Sequence, residues 1–532
     1  LPWENLPNVV RAIVLPDRIC QRTHDSFNSL LTSYVRRGGT VVVVQDAGVR
    51  DRNGFYRKAG AFDSLLGIHY IRASESRSRA FSFGLVQFTS ESAADGWSVP
   101  SGKLDGDRYL VGYGYGRLSY AVNRAVRFDG ATTVDAWSGT SPVVAHRTID
   151  AGNVYYFNLP LGELKASGDS LPMHAFLRTA LFGGARMPHL VASPEGLGRL
   201  VVNLHIDSNA EWLGIPNLVA HGLLRKDVRM EFDVTAGPDM AKIGDGRGFD
   251  ACGPKGEKFL TEIAKYGAVG DHGGWAHNYF SSNLEAGKFS EDQVAALVAR
   301  NTRCLQSVLG TPIRSYAAPD GAHPQPMMTK ILESQGIDSY YYTGDSGSPA
   351  LRPFYNGKIV GKTSWAYPVM TLGTAASFQE MAADGVSPAR TERWLKQVLA
   401  FTEQQRGIYL VYTHSYDLRV HPKYIPAFAG FLDALVRDQR LGLLRTITMP
   451  EATDFLQRYV QTTFTYSRTN GALSLQLDNP QGLRDIAFAL PDGDVRTGSL
   501  GSGDVALAAV EGGYHIYYVT TGRRHLSLTI RG

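Results

Sequence analysis

An α/β chain in three parts is what the residue pattern predicts, and three observations carry it. Strands alternate with long helices through the middle, a buried Val run follows a helix and a Gly-Gly stop near the start, and short alternating strands close the sequence. In the first part, residues 1–192, Val9–Leu15 is an apolar run and His24–Arg37 has helical spacing. Gly38-Gly39 stops the helix, and Thr40–Gln45 follows as a strand whose unbroken Val run suits a parallel strand covered on both faces. From about Ala80 to Phe157, short Tyr/Val/Phe-rich strands are separated by Gly, Asp and Ser. The start at Leu1, without an initiator Met, reads as a processed or truncated chain whose first domain lacks its opening portion.

The second part, residues 198–460, offers strands at Leu200–Ile206, Ala268–Gly270, Ile313–Ala317, Ser339–Thr343, Ile408–Thr413 and Leu443–Ile447. Its clearest helix starts at Ser290, where S-E-D-Q is a capping box and Val294, Leu297, Val298, Leu305 and Val308 share one face. Further helices are expected near Glu392–Gln404 and Pro426–Arg437. Such alternation gives a parallel β/α barrel or an open sheet, and either places chemistry at the strand C-termini. The third part, residues 462–532, alternates at Phe464–Tyr466, Leu473–Leu477, His515–Val519 and Leu526–Ile530 between Gly/Asp/Asn-rich turns, the pattern of a small antiparallel sandwich.

Composition narrows the function. With 54 basic and 50 acidic residues, a net charge of +4 and no basic run, nucleic acid is not the expected partner. The longest aliphatic run, Val41–Val44, is far too short for a membrane-spanning helix. The three cysteines, Cys20, Cys252 and Cys304, form no C-x-x-C; Cys252 and Cys304 either pair or remain separate thiols. Gly344-Asp345-Ser346-Gly347 looks like a serine-protease nucleophile segment, but it follows an α/β strand and is set aside as a loop.

Four polar clusters stand at the strand ends of the middle part. LHIDSNAEW puts Asp207 after the first strand, where a carboxylate serves as general base, metal ligand or simple cap. GDHGGWAHNYF places His272 and His277 around a Gly-Gly turn, and two imidazoles this close can converge on a cation such as Zn²⁺. RSYAAPDGAHPQP runs a strand into a rigid turn holding Asp320 and His323, and IYLVYTHSYD delivers His414 to the end of a buried strand.

Taken in order, these clusters resemble the polysaccharide deacetylase superfamily. The similarity is closest, through HID, YAAPDGAHP and the accessory domains, to Pel-type exopolysaccharide deacetylases and the fungal galactosaminogalactan deacetylase of carbohydrate esterase family eighteen. RGGTVVVVQDAG and GNVYYFNLPLG in the first part resemble amidotransferase-like accessory domains, without a nucleophilic Cys. The resemblance implies a distorted (β/α) barrel flanked by an amidotransferase-like α/β domain and a β-sandwich. It also implies metal-dependent N-deacetylation of an N-acetylhexosamine exopolysaccharide during biofilm matrix synthesis, in a periplasmic or secreted protein with partners in an exopolysaccharide export system.

By the same resemblance Asp207 is the base, His414 the acid oriented by Asp417, and His272, His277 and Asn209 (or Asp207) the ligands of a divalent metal, most readily Zn²⁺. Trp275, Tyr316, Trp365 and Tyr416 offer rings for sugar faces, with Arg314 and Asp320 as polar contacts. The chain departs from the family pattern at three places. Asn209 replaces the second acidic residue of HIDGD, the histidines are five rather than four apart, and Tyr316-Ala317-Ala318-Pro319 lacks the base-orienting Arg, for which Arg314 is the substitute. The missing acid leaves a rival reading, a catalytically inactive deacetylase-like polysaccharide-binding or scaffold protein. A second rival, a glycosidase, pairs Asp207 with Glu211 or Asp320 and gives the histidines no role.

Overall fold

In the computed structural model, which describes residues 10–70, 81–469, 472–495 and 503–531, the Val run becomes a strand, Thr40–Val44, buried along its whole length. Val9 and Ala80, the first residues of two expected stretches, lie outside the described residues. Val41 and Val43 pack with Leu31, Tyr34 and Val35 of helix Asp25–Arg36, whereas Val42 and Val44 pack on the other face with Trp97, Phe157 and Phe176. The strand pairs in parallel with Ala12–Leu15 and Gly152–Phe157, and antiparallel strands complete a six-stranded sheet. These elements belong to the first of two compact units, Leu1–Pro188; the second is His189–Gly532.

The second unit is built on strands β1 (Gly198–Ile206), β2 (Met230–Val234), β3 (Gly267–His272), β4 (Ser315–Ala317), β5 (Ser339–Tyr342), β6 (Trp365–Pro368), β7 (Ile408–His414) and β8 (Leu444–Thr446). Between them lie helices α1 (Glu211–Ala220), α2 (Pro254–Ile263), α3 (His277–Glu285), α4 (Glu291–Leu309), α5 (Met327–Ser334), α6 (Phe378–Ala383), α7 (Pro388–Gln405) and α8 (Ile425–Arg440), and α9 (Met449–Tyr459) follows β8. The strands run parallel in the order β6-β5-β4-β3-β2-β1-β7, with β8 joined to the first residues of β1. Val369, just past β6, bridges in parallel to Leu410 of β7, and Met370 N donates to Leu410 O at 2.9 Å. The two ends of the sheet therefore meet, and of the two architectures expected the chain adopts the distorted barrel.

Alternation along β1 divides the barrel wall. Leu200, Val202, Leu204 and Ile206 face outward into a core with Phe232, Leu260, Val398 and Phe431, while Asn203 and His205 turn inward. Two strands, β2 and β6, were not among those expected. In β2, Glu231 and Asp233 are wholly buried in a polar barrel interior, so their charges do not mark a solvent face. Strand β6 is short and ends at Pro368. The capping box at Ser290 forms as the sequence predicts, and α4 ends at Gly310 with a left-handed φ of 68°.

The C-terminal strands form two antiparallel sheets. One joins Thr463–Thr469, Ala472–Asp478 and His525–Arg531; the other joins Ala487–Pro491, Tyr514–Val519 and Val505–Glu511. The second sheet gains His189–Val191, from the end of the range taken as the N-terminal part, because that segment pairs with Ala487–Pro491. Among the described residues no helix is long and apolar enough to cross a membrane.

Candidate metal centre at the barrel mouth

Asp207 follows β1, His272 ends β3, His277 opens α3 and His414 ends β7, so four chain segments deliver polar groups to one end of the barrel. Asp207 Oδ1 lies 3.1 Å from His272 Nε2 and 3.7 Å from His277 Nε2, and the two imidazole nitrogens are 3.1 Å apart. All three side chains are buried. The Gly273-Gly274 turn makes this possible across the longer spacing: Gly273 adopts φ 79° against Pro319, and Gly274 packs on Phe280 too closely for a side chain.

The protons define what the cluster can hold. His272 Nδ1 is 3.0 Å from the Ala317 carbonyl, which can only accept, so in the neutral ring Nε2 carries a lone pair. His277 Nδ1 faces the Asn278 side-chain oxygen at 3.3 Å, which turns its Nε2 lone pair inward as well. Asp207 Oδ1 has no hydrogen-bond partner. With both rings neutral, as metal ligands must be, a carboxylate oxygen and two imidazole lone pairs converge, and a divalent cation of the Zn²⁺ type satisfies all three. These residues fit a metal, and the Nδ1–H to carbonyl bond of His272 is the outer support such ligands use.

Asp207 Oδ2 faces the other way, 3.5 Å from His414 Nε2. Asp417, wholly buried, takes His414 Nδ1 at 3.3 Å and also accepts from Thr413 Oγ1 at 2.8 Å and Gln379 N at 3.2 Å. Burial alone would push His414 down, but Asp207 and Asp417 outweigh it and push it up to about 10. Burial would likewise raise Asp207; His277, His414 and His272 instead hold it well below the usual carboxylate range. Burial is the first cause of the depressed His277 pKa, against the pull of Asp207.

No family model matches the chain, and no curated protein matches it. Among solved structures, a putative polysaccharide deacetylase from Mycobacterium smegmatis is 15% identical, with a TM-score of 0.37 over 53% of this chain and 99% of that one. A CE4 family pseudoenzyme from Bacillus anthracis is 12% identical, with a TM-score of 0.29 over 49% of this chain and 67% of its own. A β-galactosidase from Bacillus circulans is 16% identical, with a TM-score of 0.23 over 35% of this chain and 24% of its own. Scores this low leave the function to be argued from the side chains of this chain.

Several expected site residues are placed elsewhere. Asn209 donates its side-chain amide to Gly246 O at 3.3 Å, and the oxygen that meets the imidazoles is that of Asp207. Arg314 precedes β4, at the end of that strand away from the mouth, and is paired with Asp338 and Asp454, each at 2.7 Å. Tyr316 points outward from β4 and is wholly buried beside Phe280 and Met328, and Trp365 is buried in β6, so neither ring is open to a sugar. The remaining candidates are nearer the mouth. Tyr416 stacks on His414 with ring centroids 5.0 Å apart and donates to Gln379 Oε1 at 2.8 Å. Asp320, exposed at φ 51°, accepts from Ser281 Oγ at 2.6 Å. Trp275 is half-buried beneath Arg300, whose guanidinium carbon is 3.8 Å from the ring centroid. Glu211 is wholly buried, which removes the glycosidase pairing of Asp207 with Glu211.

The structure adds residues that the sequence reading missed. His205 lies beneath the site, its ring centroid 4.4 Å from that of His272 and tilted 43° to it. Asn301 of α4 supports the turns from outside: its Oδ1 accepts from Ala236 N at 2.6 Å and Trp275 N at 3.3 Å, and its Nδ2 donates to Val234 O and Asp271 Oδ1, both at 2.9 Å. The signal for His205 was present, since Asn203, His205 and Asp207 recur every second residue, as do Glu231, Asp233 and Thr235.

Proposed function

We propose that this chain is a metal-dependent N-deacetylase of an N-acetylhexosamine-containing exopolysaccharide. The observation that carries this reading is the convergence of Asp207 Oδ1, His272 Nε2 and His277 Nε2 on one point while Asp207 Oδ2 meets His414. A bound divalent metal supplies water acidified toward neutrality and a Lewis acid for the acetamide carbonyl. Asp207 Oδ2, turned away from His272 and His277 and toward His414, takes the proton of the attacking water. His414 Nε2, charged at neutral pH by its two carboxylate neighbours, hands a proton to the departing nitrogen, which is too basic to leave as an anion. Asp417 keeps that ring aligned through Nδ1, and the Tyr416 ring covers its face.

Around this centre Trp275, Tyr416 and Asp320 contribute the stacking and polar contacts a sugar polymer requires. The first unit serves as a non-catalytic amidotransferase-like scaffold and the C-terminal sheets as a sandwich module. The Cys252–Cys304 disulfide supports a periplasmic or secreted setting, where partners belong to an exopolysaccharide export system and the product enters a biofilm matrix.

The test is acetate release from N-acetylated hexosamine polymers by metal-stripped protein before and after adding Zn²⁺, Co²⁺ or Ni²⁺. Metal-restored release, abolished in Asp207→Asn and reduced at least about 100-fold in His414→Ala, is expected for a base and an acid. Metal bound at His272 and His277 without acetate release, together with polymer binding, would favour the inactive polysaccharide-binding reading, for which Asn209 tied to Gly246 is the observation.

A further inference from the structure

Asp207 and His414 belong to adjacent strands, but the ladder between β1 and β7 ends at His205 opposite His414. The turn that carries Asp207 and the turn from Ser415 to Asp417 therefore extend beyond the last backbone pairing. Their separation decides whether base and acid act on the same bond, and a misplacement of about 1 Å costs on the order of 100-fold. Something other than the ladder must fix it.

Glu211, the first residue of α1, lies between these turns and is wholly inaccessible to solvent. Its Oε2 accepts from Ser415 Oγ, and its own backbone N–H donates to Ser208 O, in the turn that carries Asp207, at 3.3 Å. Oε1 is buried without a hydrogen-bond partner. Gly214, one turn along α1, brings the helix close: a Cβ there would lie 2.7 Å from Glu211 Oε2 and 2.9 Å from Tyr416 N. A buried carboxylate with an unmet oxygen is costly to keep, and nothing in the proposed chemistry touches it.

We propose that Glu211 is a positioning residue, a buried clamp that joins the Asp207 turn to the His414–Asp417 turn through its N–H on the Ser208 carbonyl and its side chain on the Ser415 hydroxyl. This role rests on the deacetylase reading for its kinetic consequence, but not for its structural one. Glutamine is nearly the same size but has one accepting oxygen instead of two, so Glu211→Gln weakens the hold on the Ser415 hydroxyl.

The experiment compares wild type, Glu211→Gln, Ser415→Ala, Ser415→Thr, His414→Ala and the double variant Glu211→Gln/His414→Ala. Each is measured for kcat and KM on an N-acetylated hexosamine oligomer and for the visible absorption spectrum of added Co²⁺, which reports ligand geometry. Loss of an outer support costs about 10- to 100-fold, so Glu211→Gln should lower kcat by that factor with KM changed less than about twofold. It should also shift the Co²⁺ bands, because Asp207 moves. Ser415→Ala should follow in the same direction and Ser415→Thr should restore activity, which keeps the test open if Glu211→Gln does not fold. The double variant should lose less than the product of the two single losses, because the two residues act through one separation. An unchanged kcat and Co²⁺ spectrum in Glu211→Gln overturns the clamp, as does an equal fall in kcat on the His414→Ala background. If wild type releases no acetate, the deacetylase reading fails; the clamp then stands or falls on the Co²⁺ spectrum of Glu211→Gln.

Discussion

Asn301 donates and accepts at four points, and each removes a polar group from an otherwise unmet position around the metal turn. Asn301→Ala leaves the Ala236 N–H and an Asp271 oxygen unpaired in the interior, at about 1–3 kcal/mol for each buried group. We expect a fall of several kcal/mol in urea unfolding and weaker metal binding, because the Trp275 turn loses its anchor. A second prediction at this scale concerns acid. His323 stacks on Tyr340 with ring centroids 4.4 Å apart, and burial pushes its pKa down to about 3. An unfolded imidazole titrates near 6.5, so the folded state disfavours the proton, and this contribution to stability is whole above about pH 6.5 and is lost as pH falls toward 3. The urea midpoint should drop from pH 7 to pH 4 by less in His323→Phe than in wild type; equal drops would contradict the assignment.

At the scale of elements, the helices were the most legible feature. The S-E-D-Q signature states its own hydrogen bonds, and the structure shows Gln293 N donating to Ser290 Oγ at 3.3 Å with Ser290 N donating back to Gln293 Oε1 at 2.8 Å. Ser290→Ala removes one half of that box and should cost about 1 kcal/mol, read as a lower melting temperature with activity unchanged. Strands β1 and β7 were equally visible as apolar runs, and β5 as a run of tyrosines. Strand β2 was missed because Glu231 and Asp233 look like solvent-facing residues, whereas a barrel with a polar interior buries that face. The same polar interior hid His205. Arg314 and Tyr316 were misread for one reason: each lies near the right turn in sequence, but Arg314 precedes the strand and Tyr316 points outward, and proximity along the chain does not tell the two ends or faces of a strand apart.

For the whole molecule, order along the chain carried more than any one motif. Asp207, the His272/His277 pair and His414 are more than 200 residues apart at their extremes, yet parallel strands bring them together because every strand points its C-terminus the same way. What the sequence left open was the third ligand, since Asp207 and Asn209 are separated only by which side chain turns toward Gly246. The Cys252–Cys304 pairing was open too; the bond links the segment before α2 to α4 across a separation of 52 residues. Its removal in a Cys252→Ser/Cys304→Ser variant should cost about 2–4 kcal/mol, seen as a lower melting temperature in oxidising buffer that matches reduced wild type.

The central claim is that Asp207, His272 and His277 hold one catalytic metal ion. Titrating Zn²⁺ into metal-stripped protein while following acetate release tests it most directly. The geometry predicts a rate that rises linearly to one equivalent per chain and then levels, with no rise in His272→Ala. Acetate release that is independent of metal, or a rise retained in His272→Ala, would contradict the account.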